Sequence, residues 1–531
     1  RRKNEVTFWA PVPRAYNLMR LSYAGDVTGL HPGQAGRDIR VKPYLLNTTL
    51  RGVGGTDFDN DVNAGVDAKV AVSRGLTLDL TVRPDFAQVE ADEQQVNLTQ
   101  FAQFFPEKRE SFLENSGIFY VGDAARLNRV FTPPTPDDDN LLFFSRRIGI
   151  REDRQPIDID AGARLTGVAG GFGIGLINMQ VRGDVTTDAN NYSVLRLRRN
   201  VGGGSDIGVL YMQRQSTDNS ADYNRVAGFD ANIRFFDRVD WNSYLVGTRT
   251  PGLSGDQYAA RTSVNYEGNF FHGKAGLMTL GDHFNNDLGF YRRIGIKKWF
   301  TDIGIRPRPE ALRRRGIREL HPHIVWDMYT DQSNHMVQKR LHTGQTFFFE
   351  NGAVLELSYN PAFNLLSAPL TLSPEADPLP AGPYGWNEFG ILANTDLSRP
   401  LSLQSRWAFG ELYNGTQKSV QATVMWRPNF RVRLSAGVQR TDGNLDLADG
   451  KFVNAVYTMR ANYSFSPVMF IDALSQYDPT TDQLNANVRF NLIHHPLSDL
   501  FIVYNDQRFL TSDAPTVGRS IAIKLTQMFS F

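Results

Sequence analysis

Cysteine is absent from the 531 residues, which excludes a disulfide framework and any Cys-ligated zinc or iron–sulfur site. Long apolar runs are missing as well. No stretch of about 18 or more hydrophobic residues occurs, so the chain has no candidate membrane-spanning helix. Neither sign of charge is in excess, with 57 Lys+Arg against 56 Asp+Glu, and no net field points to nucleic acid or to an acidic substrate. The motifs of common chemistry are lacking too. There is no HExxH pair and no G-x-S-x-G elbow, and Gly202-Gly203-Gly204 has neither a Walker lysine nor a helix behind it.

What is present is alternation. In Val420-Gln421-Ala422-Thr423-Val424-Met425-Trp426 one face carries Val, Ala, Val and Trp and the other Gln, Thr and Met. From Arg431 to Val438 the even positions are apolar and the odd ones polar or small, and the same beat runs through 76–82, 195–198, 353–359 and 521–525. Side chains on a strand point alternately to opposite faces, so each segment has one greasy and one wet side. A soluble sandwich shares that local pattern. The turns separate the two. Read back from the C-terminus, tight connections at 495–496, 466–467, 427–429 and 350–352 take turns with longer ones at 509–516, 477–483, 441–451 and 365–385. That asymmetry is expected of an outer-membrane barrel with short periplasmic turns and longer external loops.

The expected fold is therefore all-β: a closed antiparallel transmembrane barrel over residues 18–531, of about 26 strands within an error of about two. An even count puts both termini in the periplasm, with residues 1–17 as a lead-in that is a processed or truncated start and not a signal peptide. The final strand ends with Phe529 and Phe531 on its apolar phase, a pattern resembling the signal read by the barrel-assembly machinery. Aromatic residues make up 11% of the chain, and Trp299, Trp326, Trp386, Trp407 and Trp426 near strand ends suit interfacial girdles.

From Asp85 to Asn140 the rhythm stops. This segment is rich in both Phe and charge: Phe86, Glu90, Glu93, Phe101, Phe104, Phe105, Lys108, Arg109 and Phe112. So many Phe residues need burial, which argues against disorder. The strand count puts the segment after about the fourth strand, on the periplasmic side. A wide barrel encloses more space than its own side chains fill, so a plug in the lumen is expected, with a small periplasmic cap as the alternative. The lumen-facing residues expected from the strand phase are Asp79, Arg196, Arg198, Glu356, Arg431, Arg433 and Lys524. With charge balanced, they should pair with each other and with plug charges such as Glu90, Glu93, Lys108 and Glu110.

The run Thr77 to Asp92, with Phe105-Pro106-Glu107-Lys108-Arg109 and Phe112-Leu113-Glu114, resembles an uncharacterised bacterial outer-membrane barrel family. Arg2-Lys3-Asn4-Glu5 and Phe8-Trp9-Ala10-Pro11 are similar to that family's junction before the barrel. The resemblance implies a domain similar to family 9 carbohydrate-binding modules ahead of the barrel, which these residues do not include, and it carries no settled activity.

Metal chemistry finds little support in the sequence. His321 and His323 share a face, but no third ligand is evident. Adjacent His494 and His495 point apart, and Asp57-Phe58-Asp59-Asn60-Asp61 lacks the glycine and distal glutamate of a calcium loop. The expectation is no catalytic residue, no metal and no cofactor. The function expected is a plugged conduit for transport or export, with a structural anchor or assembly protein carrying a permanent plug as the rival, and a rim-sited enzyme behind both. A lipopolysaccharide-insertion barrel would bring cysteines and a jelly roll, and a TonB-dependent transporter a longer plug before its first strand. Expected partners are outer-membrane lipid, the barrel-assembly machinery and a periplasmic or surface protein, with no nucleic acid.

Overall fold

In a computed structural model of the chain, the alternating segments form one antiparallel sheet of 24 strands closed on itself, with one short extra strand. The structure describes residues 25, 27–29, 38–52, 57–85, 93–122, 140–151, 156–184, 187–236, 238–511 and 518–531. Each barrel strand pairs with the next in sequence, from Ile39–Arg51 on Asp59–Ser73 to Ser498–Phe509 on Gly518–Thr526. The seam closes where Ile39–Arg51 also meets Gly518–Thr526, with Tyr44 opposite Thr526 and Arg51 opposite Arg519. Phe529–Ser530 carries that pairing on to Val41 and Arg40. Closure gives every strand a neighbour on both sides, which is what lets a sheet stand in lipid without an unpaired edge.

The count is 24 rather than about 26, within the expected error. The first described strand starts at Ile39, not near residue 18, and the expected lead-in 1–17 lies outside the described residues.

Burial runs opposite to that of a soluble protein. Phe229, Leu245, Val264, Trp407, Val424 and Ile523 are exposed on the outer face, while Arg164, Asp230, Asn242, Arg261, Thr441 and Lys524 are buried on the inner one. An apolar exterior around a polar bore is what the hydrocarbon of a bilayer selects. Trp299, Trp407 and Trp426 are exposed. Trp386 departs from the girdle reading. It sits on the inner face, its ring 4.7 Å from that of Tyr413, because its phase along Gly382–Asn394 is opposite to that of exposed Phe389.

The two barrel ends differ. One carries tight turns such as Gly170-Gly171, where both residues have positive φ (57° and 79°), as the two-residue hairpin turn whose twist matches the strands requires. The connection 306–316 at that end is longer and holds the helical turn Glu310–Arg313. At the other end 281–295 and 367–381 are long, although Tyr413-Asn414 is tight. Ile39 and Thr526 both lie at the tight-turn end.

The long insert joins Leu76–Val82 to Ile159–Ala169, so it follows the third strand and leaves from the end opposite the termini. This corrects the expected position after about the fourth strand on the same side as the termini. Every strand crossed reverses the end, so a miscount of one moves the insert across the membrane.

Candidate functional site in the barrel bore

The inserted segment touches the inner wall around the whole circumference. Asp85 pairs with Lys524 at 3.3 Å and Glu93 with Arg460. The Gln94 amide donates to Gln476 at 2.9 Å. Tyr413 donates to the Leu98 carbonyl at 3.3 Å, and the Arg293 guanidinium lies 4.1 Å over the Phe101 ring. Further along, Glu114 pairs with Lys69 at 2.5 Å, Arg164 donates to the Ser111 carbonyl, and Arg196 donates to that of Tyr120 at 3.2 Å. Asn140 donates to Tyr244 at 3.1 Å. Apart from Tyr413 in a turn and Arg293 in the loop 281–295, these partners sit on strands from Asp59–Ser73 round to Gly518–Thr526.

Its own core explains the Phe content. Phe104 lies 5.3 Å from Phe144 and 5.2 Å from Phe290, ring to ring. Asn140–Leu141 forms a short ladder with Phe290–Tyr291, so the loop 281–295 packs on the insert. Phe112 and Phe119 are buried with wall residues Ile177, Met212 and Val246. Apolar side chains thus line part of the bore, where wall and insert share one core.

Glu107 and Arg109 form a knot beneath the rings. Arg109 is 4% exposed and meets both Glu107 oxygens, at 2.9 and 2.7 Å. It also donates to the carbonyls of Ile148 at 2.7 Å and Ser145 at 2.8 Å, and stacks over Phe112 at 4.3 Å. The Ser145 hydroxyl donates to Glu107 at 2.7 Å. Burial works to raise the Glu107 carboxyl, but the Arg109 bonds and Ser145 prevail and hold it below the usual carboxylate range.

Among the residues singled out in the sequence, Asp79 meets Lys69 at 3.2 Å and Arg164 at 3.3 Å. Arg196 is fully buried in a two-point pair with Asp230, and Arg198 pairs with Asp206 at 2.9 Å. Glu356 accepts from Thr346 at 2.8 Å. Arg433 sits on the inward-phased row of Val432–Asn444 but is exposed. Arg431 departs from the lumen-wall expectation. It precedes that strand, in the turn, and lies 5.4 Å over the Phe430 ring. Phe105 and Lys108 are half-buried in the insert. Phe529 and Phe531 are exposed near the seam. Phe86 and Glu90 lie outside the described residues.

A constellation that sequence reasoning missed stands on the wall nearer the termini. His272, His321, His323 and His342 form a row, with ring centroids 5.0, 4.6 and 5.0 Å apart in turn. His342 Nε2 lies 3.5 Å from Glu356 Oε1. Only the His321–His323 spacing was visible in the sequence. The other members arrive by register, with Gly344 opposite His323 and Val325 opposite His342.

A closed antiparallel sheet with an apolar outside, a polar inside and a packed bore defines a large membrane-spanning β-barrel of the bacterial outer-membrane type. Residues 39–187 match the family described as Domain of unknown function (DUF5916), in keeping with the barrel-family resemblance over the first quarter of the chain. No curated protein matches the chain in sequence. Among solved structures it is similar to the FrpB iron transporter from Neisseria meningitidis, at 11% identity, covering 93% of this chain and 82% of that one with a TM-score of 0.42. It is also similar to the copper transporter OprC, at 9% identity, 94% and 81% coverage and a TM-score of 0.42. The siderophore receptor PirA from Pseudomonas aeruginosa gives 7% identity, 94% and 81% coverage and a TM-score of 0.39. These likenesses concern the fold of the barrel.

Proposed function

We propose that the protein is a plugged conduit of the bacterial outer membrane, in which the insert between residues 83 and 158 occludes the bore and its displacement opens a path for solute. The observation that carries this reading is the reach of the insert, whose contacts run from Lys69 and Arg164 to Arg460 and Lys524. The mechanism is a change of occupancy with no covalent chemistry. Charges along the bore are largely matched by neighbours, so the wall offers a polar surface without one dominant sign.

The density of insert-to-wall hydrogen bonds favours a second reading, a permanent plug in a structural anchor. Single-channel conductance in a planar bilayer separates the two. The Arg83 backbone N–H donates to the Asp160 carbonyl at 2.8 Å, so a short Gly-Ser linker can replace residues 85–157 and close the hairpin. Low conductance in the intact chain, with occasional large openings, and steady large conductance in the linker variant are expected of a conduit. An intact chain that never opens at any voltage supports the anchor.

Phe529 and Phe531 are proposed to serve the assembly machinery as recognition residues. Replacing both with Ser is expected to lower the amount of barrel inserted in cells several-fold while leaving refolding in detergent unchanged.

A further inference from the structure

The histidine row on the bore wall has a geometry that hydrogen bonding among imidazoles does not explain by itself. Its last two members, His323 and His342, face each other with their Nε2 atoms 3.0 Å apart. Each ring is anchored through its other nitrogen. His323 Nδ1 lies 3.0 Å from the His321 carbonyl oxygen, which can only accept, so that nitrogen holds the proton. His342 Nδ1 lies 2.7 Å from Asn360 Oδ1. The orientation of this amide is fixed from behind: Asn360 Nδ2 donates to Glu388 Oε1 at 3.1 Å, and Gln417 donates to the other Glu388 oxygen at 2.9 Å. A carboxylate takes only donors, so the Asn360 oxygen must face the ring. Both imidazoles are thereby set with Nδ1 protonated, and both Nε2 lone pairs point at one spot.

Two lone pairs at that separation repel unless a cation lies between them. Glu356 adds a carboxylate there, its Oε1 3.5 Å from His342 Nε2 and its Oε2 4.0 Å from His323 Nε2. Ligand atoms at about 2.1 Å from a tetrahedral ion stand about 3.4 Å apart, and the observed separations bracket that spacing. Space is reserved by glycine. A Cβ at Gly344 would come within 2.5 Å of His323 Cε1 and 2.8 Å of both facing Nε2 atoms, and one at Gly304 would strike His272 and His321. A side chain at position 344 would occupy the convergence point.

We infer that His323, His342 and Glu356 form a binding site for a late first-row divalent metal ion on the wall of the bore, with His321 and Asn360 as the groups that fix the ligand tautomers. Two imidazole nitrogens and a carboxylate suit zinc, cobalt, nickel or copper and are too nitrogen-rich for calcium or magnesium. A fourth position faces the bore, where water or a passing solute can complete the shell. The site stands whether or not the insert moves.

The test uses the full chain with any affinity tag removed, stripped with chelator and titrated with Zn2+ and, separately, Co2+. One saturable ion per chain is expected, and cobalt should show the intense visible bands of four-coordinate geometry. His342→Ala should abolish saturable uptake. Asn360→Ala keeps every ligand but releases the ring, and should weaken zinc about 10–100-fold. His335→Ala, on an exposed loop-end histidine, should change nothing. Absence of a saturable site in the folded wild-type barrel overturns the inference. So does equal affinity in His342→Ala, which would place the ion elsewhere, or loss confined to His335→Ala. Cobalt bands of six-coordinate character with unchanged affinity across all variants overturn it as well.

Discussion

Glu107 carries one negative charge in a setting that permits no substitute. Its carboxylate neutralises Arg109, whose guanidinium is 4% exposed, and removing one partner of a buried pair leaves an uncompensated charge that costs about 3–5 kcal/mol. Glu107→Gln is therefore expected to loosen the 93–122 segment without unfolding the barrel, seen as faster amide exchange there and unchanged exchange in the strands. The acid response follows from the sign of the shift. Because the folded carboxyl sits below its ordinary value, its contribution is complete above about pH 4.3, the unfolded value, and is lost as pH falls through the lower folded value. Docking of the insert should thus survive mild acid and fail only in strong acid, which exchange or protease protection across a pH series will show. At this scale the sequence was partly legible. Glu107 and Arg109 lie close enough in the chain to be read together, and Phe104 and Phe112 announce burial by composition. The partners of His323 were hidden, because Glu356 and His342 reach it only across strand register, a long-range property that no local spacing encodes.

Strands were read more reliably than anything joining them. The two-residue beat is local, and it assigns faces correctly along Gly415–Trp426, where Val424 and Trp426 are exposed and Gln417 is buried. That division has a direct consequence for tolerance. Val488→Arg places a charge on the outer face and should destabilise the barrel by about 2–4 kcal/mol if it lies near the bilayer midplane. Gln439→Arg, on the inner phase of Val432–Asn444, should leave stability close to that of the parent. Denaturant unfolding from lipid vesicles, followed by tryptophan fluorescence, compares the two. What the beat does not supply is a boundary. The expected barrel began at residue 18, whereas the first described strand begins at Ile39, and each strand added to the count changes which end a later connection leaves from. The insert was recognised by its broken rhythm, whereas its end of the barrel required the strand pairing Val82 to Ala161.

For the molecule as a whole, the decisive relation is between the seam and the insert. Tyr44 pairs with Thr526 across almost the entire chain, the costliest loop to close, whereas the barrel pairings away from this seam join consecutive barrel strands. The insert hangs from the third strand, early in the sequence, and its contacts extend to Arg460, Gln476 and Lys524, late in it. Protection of residues 93–122 during refolding is accordingly expected to rise together with seam pairing and after the central hairpins, which pulse-labelled exchange can resolve; protection that precedes the seam would separate the two events. The wall is then laid around its contents in the way a cask is raised around a core: the last stave encloses what the first ones already held. Nothing has to be pushed through a finished opening, because the wall closes on the insert only when its last strand meets its first.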